Sequence, residues 1–167
     1  MAHGPRFRVA FRRRREGSTD YRTRLALVKS GEPRLVVRKS HRTITVQFID
    51  FDEKGDVVRA AATSKDLVQH GWTESTGATP AAYLTGLLAA KRAKSKGVSN
   101  AILDIGRNEP TKGGRLFAAL KGVLDGGIQV PHSKEVLPDE KRLSGEHLAD
   151  APVALFKKVQ ATLKGGA

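Results

Sequence analysis

The chemistry on offer in this sequence begins with arginine. Arg6, Arg8, Arg12, Arg13, Arg14, Arg15, Arg22 and Arg24 crowd the amino-terminal stretch, Phe7, Phe11 and Tyr21 lie among them, and no lysine precedes Lys29. A guanidinium grips phosphate through two parallel N–H donors and stacks on flat rings, which an ammonium does less well. That bias favours phosphate contact over a localisation signal or a solvated tail. A second group, Arg38, Lys39, Ser40, His41 and Arg42, sets three permanent cations beside a hydroxyl and an imidazole. If a β-ribbon turns there, its tip can reach an RNA groove or loop. A strand edge kept soluble by charge has the same composition, but the neighbouring arm favours contact.

The third group is the run from Gly106 to Arg115, GRNEPTKGGR, which holds Arg107, Thr111, Lys112, Gly113 and Arg115 between an apolar segment and an amphipathic one. It superficially resembles a nucleotide-phosphate loop. The Walker pattern needs Gly, four residues, then Gly-Lys-Ser/Thr; here Lys112 precedes the glycine pair and no hydroxyl follows it. Nucleotide hydrolysis is therefore not expected. What survives is a helix N-terminus with cations and flexible glycines, able to receive an RNA phosphate, or else an ordinary strand-to-helix connection.

Other constellations lead away from catalysis. The five His, at positions 3, 41, 70, 132 and 147, show no HExxH spacing, and with no Cys in the chain a zinc site is not expected. Glu146 and His147 are adjacent, so on a helix they point apart. Asp104 sits oddly inside the apolar run AILDIG; without a partner nominated by the sequence, a hydrogen-bonded structural role is favoured over a general base. No GxSxG elbow occurs. Trp72 is read as a core anchor and not a stacking platform. An enzyme acting on nucleic acid through Asp104 or Glu109 and a divalent ion would need further carboxylates, and none is nominated. No catalytic residue, metal or cofactor is expected.

The charge balance agrees. The chain has 167 residues and a net charge of +13; residues 1–42 hold 13 of its 30 Lys and Arg but only 3 of its 17 acids. Such a surface repels itself until a polyanion neutralises it. A membrane surface is a poorer partner than nucleic acid, because the arm offers only Phe7, Val9 and Phe11 as bulky apolar residues. No apolar run approaches the ~18 residues of a membrane span, so the chain is expected to be soluble and unexported.

The elements that must position these groups can be traced in order. Residues 1–17 are too charged to fold alone and are predicted to be an extended basic arm. A helix is predicted from Ser18 to Lys29, capped by Ser18 or Thr19, with Tyr21, Leu25 and Val28 on one face. RLVVRKS and TITVQFIDF then form a hairpin, and DVVRAAATS adds a third antiparallel strand. Ser64 caps a short helix that Gly71 ends. A clear helix opens at Thr79-Pro80 and stops at Gly97, with Tyr83, Leu84, Leu87 and Leu88 on its stripe. AILDIG reads as a covered strand, RLFAALKGVLDGG as an amphipathic helix, and IQV as a short strand. A helical turn at SGEHLAD and a helix from Pro152 to Lys164 follow. The expected class is α/β: a mixed sheet, an antiparallel meander plus a parallel strand, flanked by helices. The expected organisation is a basic arm over 1–17, an RNA-binding α/β domain over 18–131 and a C-terminal helical extension over 132–167.

Taken together, RRRREGSTDYRTRLALVKSGEPRLVVRKSHRTITVQFID, GWTESTGATPAAYLTGLLAAKRA, AILDIGRNEPTKGGRLFAALKGVLDGG and IQVPHS with PDEKRLSGEHLA resemble the archaeal branch of the large-subunit ribosomal protein eighteen family. Its eukaryotic relatives are the 5S-RNA-binding ribosomal protein five. The likeness runs from about Phe11 to Ala149. It implies a constituent of the large subunit's central protuberance that binds 5S rRNA, touches the large-subunit rRNA and neighbours other ribosomal proteins, on ribosomes in the cytoplasm. Matched by position, it implies 5S rRNA contacts at Arg12 to Arg15, Thr19, Tyr21, Arg22, Arg24, Arg38, Lys39, Ser40 and His41. It further implies RNA near Arg107, Pro110, Thr111, Lys112, Gly113 and Arg115. Residues beyond about 130, which shorter bacterial members lack, are implied to serve contacts particular to archaeal and eukaryotic ribosomes. Without the resemblance, a generic RNA-binding or RNA-processing protein outside the ribosome is the alternative.

Overall fold

Alternation of apolar and polar residues from position 34 to 63 produces three strands with one buried face. They are β1 (Arg34–Lys39), β2 (Ile44–Asp50) and β3 (Val57–Thr63), and a computed structural model describes them within residues 4–148 and 152–165 of the chain. β1 and β2 pair antiparallel with Leu35 opposite Phe48 and Val37 opposite Val46; β2 and β3 pair antiparallel with an irregularity at Phe48/Ile49. Leu35, Val37, Ile44, Val46, Phe48, Ala60 and Ala62 point to one face and are buried. The fourth strand, β4 (Ile102–Asp104), runs parallel to β1 at the far edge, so the order is β3-β2-β1-β4. The mixed sheet expected from the sequence is present. The IQV segment, however, contributes only a single parallel bridge, between Asn100 and Gln129 beside the start of β4, and not a strand: Pro131 has no N–H to extend the ladder.

Helix α3 (Thr79–Lys94) crosses behind the sheet to link β3 to β4, and α4 (Arg115–Asp125) lies beside it. The sequence pattern suggested a stripe on α3, yet every residue from Thr79 to Ala90 is buried. The alanines on the other sides explain this: they are small enough to let the sheet, α4 and the C-terminal helices close around one helix. α3 and α4 cross at reciprocal glycines. A Cβ on Gly86 would collide with the Ala119 carbonyl, and one on Gly122 with the Tyr83 carbonyl. The backbones therefore approach more closely than side chains would permit.

Three helix boundaries differ from expectation, each because another cap wins. The helix after the arm is α2 (Tyr21–Val28), capped not by Ser18 or Thr19 but by Asp20, whose Oδ1 accepts from the Arg22 and Thr23 N–H groups. A carboxylate is the stronger acceptor beside the positive helix end. The 3-10 segment Ser64–His70 is capped by Thr63, which forms a reciprocal capping box with Asp66. Ser64 instead turns inward and accepts the Ile44 N–H through Oγ, 3.0 Å away. The turn expected at SGEHLAD begins earlier, as α5 (Glu140–Ser144), because Gly145 adopts a left-handed φ of 84° and ends it. Residues 149–150 of that segment lie outside the described residues.

The last helix, α6 (Val153–Gly165), buries Phe156, Val159 and Leu163. With α5 it packs on α3. Phe156 meets the Tyr83 ring at 5.4 Å between centroids, while the Tyr83 hydroxyl donates to Asp125 and accepts from Gln160, both at 2.8 Å. Burial and the Asp125 carboxylate push the Tyr83 phenol well above its ordinary pKa. Trp72 is 1% exposed, in the core as expected, with its indole N–H directed at the Ser75 carbonyl. No helix among the described residues is long and apolar enough to cross a membrane.

Candidate nucleic-acid interface

The arm, α2 and Arg107 lie over the outer face of the sheet, and the ribbon tip joins this region to the N-terminal end of α4. The arm is not uniformly extended: Arg12–Arg15 form one helical turn, α1, supported by an Arg12–Glu16 ion pair at 2.8 Å. Four residues of good helix propensity make the turn accessible, and Gly17, at φ 62°, ends it. The arm then folds back on itself, since Arg13 Nε donates to the Thr19 hydroxyl at 2.8 Å. The Arg14 guanidinium stacks over the Tyr21 ring, 5.7 Å from its centroid. Across this region Arg6, Arg8, Arg15 and Arg22 are exposed and make no ion pair among the described residues.

Helix α2 does not reach the core. Leu25 is 56% exposed, and the expected Tyr21–Leu25–Val28 face is not a core face. The helix instead turns Thr23, Arg24 and Leu27 toward Val36 and Ile49 on the outer sheet surface. Arg24 is held there by Asp56 at 2.8 Å. The Asp20 carboxyl that starts the helix is lowered below its ordinary pKa by the Thr23 hydroxyl and N–H that bond to it.

Beneath α2 runs a chain of alternating charges. Asp56 bridges Arg24 and Arg34, with the Arg34 contact at 2.6 Å; Arg34 reaches Asp104 at 2.9 Å, and Asp104 holds Arg38 at 2.9 Å. Asp104 also accepts the Gly106 N–H. Burial alone would raise its pKa, but the charge and hydrogen bond of Arg38, the Gly106 N–H and the Arg34 bond together hold it below the ordinary value. Asp104 thus has the structural role favoured for it. Arg38, placed at the ribbon tip with free cations, is in fact partly engaged: its Nη1 donates to the Val37 and Asp104 carbonyls while its side chain stays 44% exposed.

The ribbon tip itself is ordered by local bonds. Ser40 Oγ accepts the Thr43 N–H, and Thr76 Oγ1 donates to the Arg42 carbonyl. Lys39, His41 and Arg42 remain exposed and make no ion pair among the described residues. Gly77 is packed against the His41 carbonyl, so closely that a Cβ would clash. Arg115, at the start of α4, donates to the Gly77 carbonyl at 2.9 Å and so ties the ribbon tip to the 106–115 loop. That loop brings Arg107 against Gly17, at the junction of arm and α2. Lys112 is exposed beside Glu135 at 3.4 Å, Thr111 is exposed, and Gly113 takes φ 65° while its N–H bonds Val136. The three groups singled out by residue type are therefore contiguous. Arg34, Asp56 and Asn108, which the sequence offered no reason to select, lie between them. Their only signal was an Arg opening an otherwise apolar strand.

The arrangement can neutralise phosphates but holds no catalytic set. Among the described residues there is no group of three or more His, Asp or Glu suited to a metal ion, and Asp104, the one buried carboxylate among them, is taken up by Arg34 and Arg38.

The family described as ribosomal large subunit proteins 60S L5 and 50S L18 matches residues 5–100 and 93–133. The large ribosomal subunit protein uL18 of Korarchaeum cryptofilum is 62% identical over 149 residues, covering 89% of this chain and 76% of that one. Its counterpart from Methanoregula boonei is 54% identical over 149 residues, covering 89% and 86%. With both the sheet that carries the basic face and the helices behind it inside the matched region, the chain belongs to the archaeal uL18 family of large-ribosomal-subunit proteins.

Proposed function

We propose that this protein binds 5S rRNA and attaches it to the large-subunit rRNA in the central protuberance, beside neighbouring ribosomal proteins. As a member of its family it is a structural, non-enzymatic constituent of the large ribosomal subunit. The observation that carries the finer reading is the contiguity of arm, ribbon tip and 106–115 loop. There Arg6, Arg8, Arg15, Arg22, Lys39 and Arg42 have no carboxylate partner among the described residues. The proposed RNA-contact set is Arg6, Arg8, Arg12 to Arg15, Thr19, Tyr21, Arg22, Arg24, Arg38 to Arg42, Arg107, Thr111, Lys112, Gly113 and Arg115. Exposed cations there release counterions when phosphates replace them, so affinity falls by ~0.7–0.9 log units per tenfold salt for each phosphate contacted.

The test is binding of purified protein to homologous 5S rRNA beside a transfer RNA, across a salt titration with transfer-RNA competitor. Retention of 5S rRNA while transfer RNA is lost supports the reading. Equal binding and parallel release of both would leave only the charge argument standing.

A further inference from the structure

The outer face of the sheet is roofed, not bare. Between it and α2 lies a cavity of about 420 Å³, inside the ~300–1,000 Å³ range of small-ligand sites. Five guanidiniums line it, those of Arg13, Arg24, Arg34, Arg38 and Arg107, against three carboxylates, those of Asp20, Asp56 and Asp104. The carboxylates are already spent: Asp20 caps α2, Asp56 holds Arg24 and Arg34, and Asp104 holds Arg34 and Arg38. The excess positive charge therefore rests with Arg13 and Arg107, neither of which makes an ion pair among the described residues.

Two further observations suggest an anion. Arg34 is only 4% exposed, and its Nε has no hydrogen-bond partner; a buried donor left so costs free energy that an acceptor recovers. Gly17 and Gly106, at φ 62° and 63°, also sit where a Cβ would strike the guanidiniums of Arg107 and Arg38. The backbone is pared away where these two groups lie. No aromatic side chain lines the cavity, so it offers no surface for stacking a base. Ser18, Thr19 and Asn108 supply neutral polar groups of the kind a ribose hydroxyl engages.

We propose that this cavity seats one phosphate group of a bound RNA strand with its ribose, gripped by Arg13 and Arg107 and indifferent to the base. The inference rests on the RNA-binding reading above and adds to it a single recessed phosphate position beside α2, shared between Arg13 of the arm and Arg107 of the 106–115 loop.

The test fills the cavity without altering charge. Ser18 is exposed and its side chain makes no hydrogen bond among the described residues, so Ser18→Trp places neutral bulk at the mouth; Gln69→Trp, at an exposed position of the 3-10 segment outside the cavity lining, is the control. Circular dichroism confirms folding of both. Affinity for 5S rRNA should fall by about tenfold in Ser18→Trp, with the salt slope lower by ~0.7–0.9, as expected for one lost phosphate. Gln69→Trp should match wild type. In parallel, the Arg34 Nε–H resonance should shift on adding 5S rRNA. Wild-type affinity and slope in Ser18→Trp, with 5S rRNA still preferred over transfer RNA, overturns the cavity and leaves the proposed function intact. Loss of that preference in wild type itself overturns the underlying reading. If inorganic phosphate alone shifts the Arg34 signal while 5S rRNA does not, the site takes free phosphate and the RNA assignment is wrong.

Discussion

Replacing Asp104 by Asn should separate structural electrostatics from RNA contact. Asp104 is 7% exposed and faces two guanidiniums, of which Arg34 is itself buried. Removing one partner of a buried pair typically costs about 3–5 kcal/mol, because the survivor keeps its desolvation penalty. Here two features point to the lower end. Arg34 retains Asp56 at 2.6 Å, and Arg38 is 44% exposed and can return to water. The expected loss is therefore about 3 kcal/mol, or roughly 6–12 °C in Tm for a chain of this size. Urea unfolding at pH 7, followed by circular dichroism, measures it. The dependence on pH has a definite sign. Because the folded carboxyl lies below the ordinary value of 3.8, its stabilisation is complete above that pH. It disappears as pH falls through the lower folded value. Wild type and Asp104→Asn should thus converge in acid. Adding Arg34→Met to Asp104→Asn should restore part of the loss, since the buried guanidinium left with only one of its two carboxylates is gone while Asp56 keeps Arg24. A single-mutant loss below about 1 kcal/mol, or a double variant no better than the single, refutes the reasoning.

Other perturbations probe the remaining elements. Arg14→Ala should weaken 5S rRNA binding and lower the slope of log affinity against log salt by roughly one unit; an unchanged slope argues against a phosphate contact there. Gly86→Ala drives a methyl into the Ala119 carbonyl and should destabilise the fold by about 1–3 kcal/mol or more in denaturant unfolding, whereas Gly31→Ala, which meets no atom within 4 Å, should suffer only from its φ of 72°. Asp20→Ala removes the cap of α2, so amide exchange of residues 22–28 should accelerate while that of α3 stays unchanged. In an alkaline absorbance titration the Tyr83 phenol should stay protonated beyond the ordinary tyrosine range until the fold is lost.

Strands β1 to β3, the Thr79–Pro80 helix start and α4 were legible because their signals are local: period-two alternation, proline in a first turn and a single apolar stripe. The basic groups were legible for the same reason, since residue type alone selects phosphate chemistry. Cap choice was less so. Ser18, Thr19 and Asp20 are all competent caps, and only the completed chain shows Asp20 taking the N–H groups of Arg22 and Thr23. The burial of α3 on all sides was hidden because alanine and glycine are silent in a hydrophobic pattern, yet they are what lets α4 lie against it.

By itself the sequence determined the charge, the order of most elements and where the cations cluster along the chain. It marked Asp104 as anomalous without naming a partner. Tertiary structure decided the rest through register. β4 pairs parallel with β1 so that Asp104 stands opposite Val36. On that face Val36 lies between Arg34 and Arg38, and a strand alternates sides with every residue. One residue of slip would turn Asp104 into the core and take its carboxylate from both arginines, leaving Arg34 with Asp56 alone. Contacts separated by 66 and 70 residues are invisible to local periodicity, and they form only when the sheet closes.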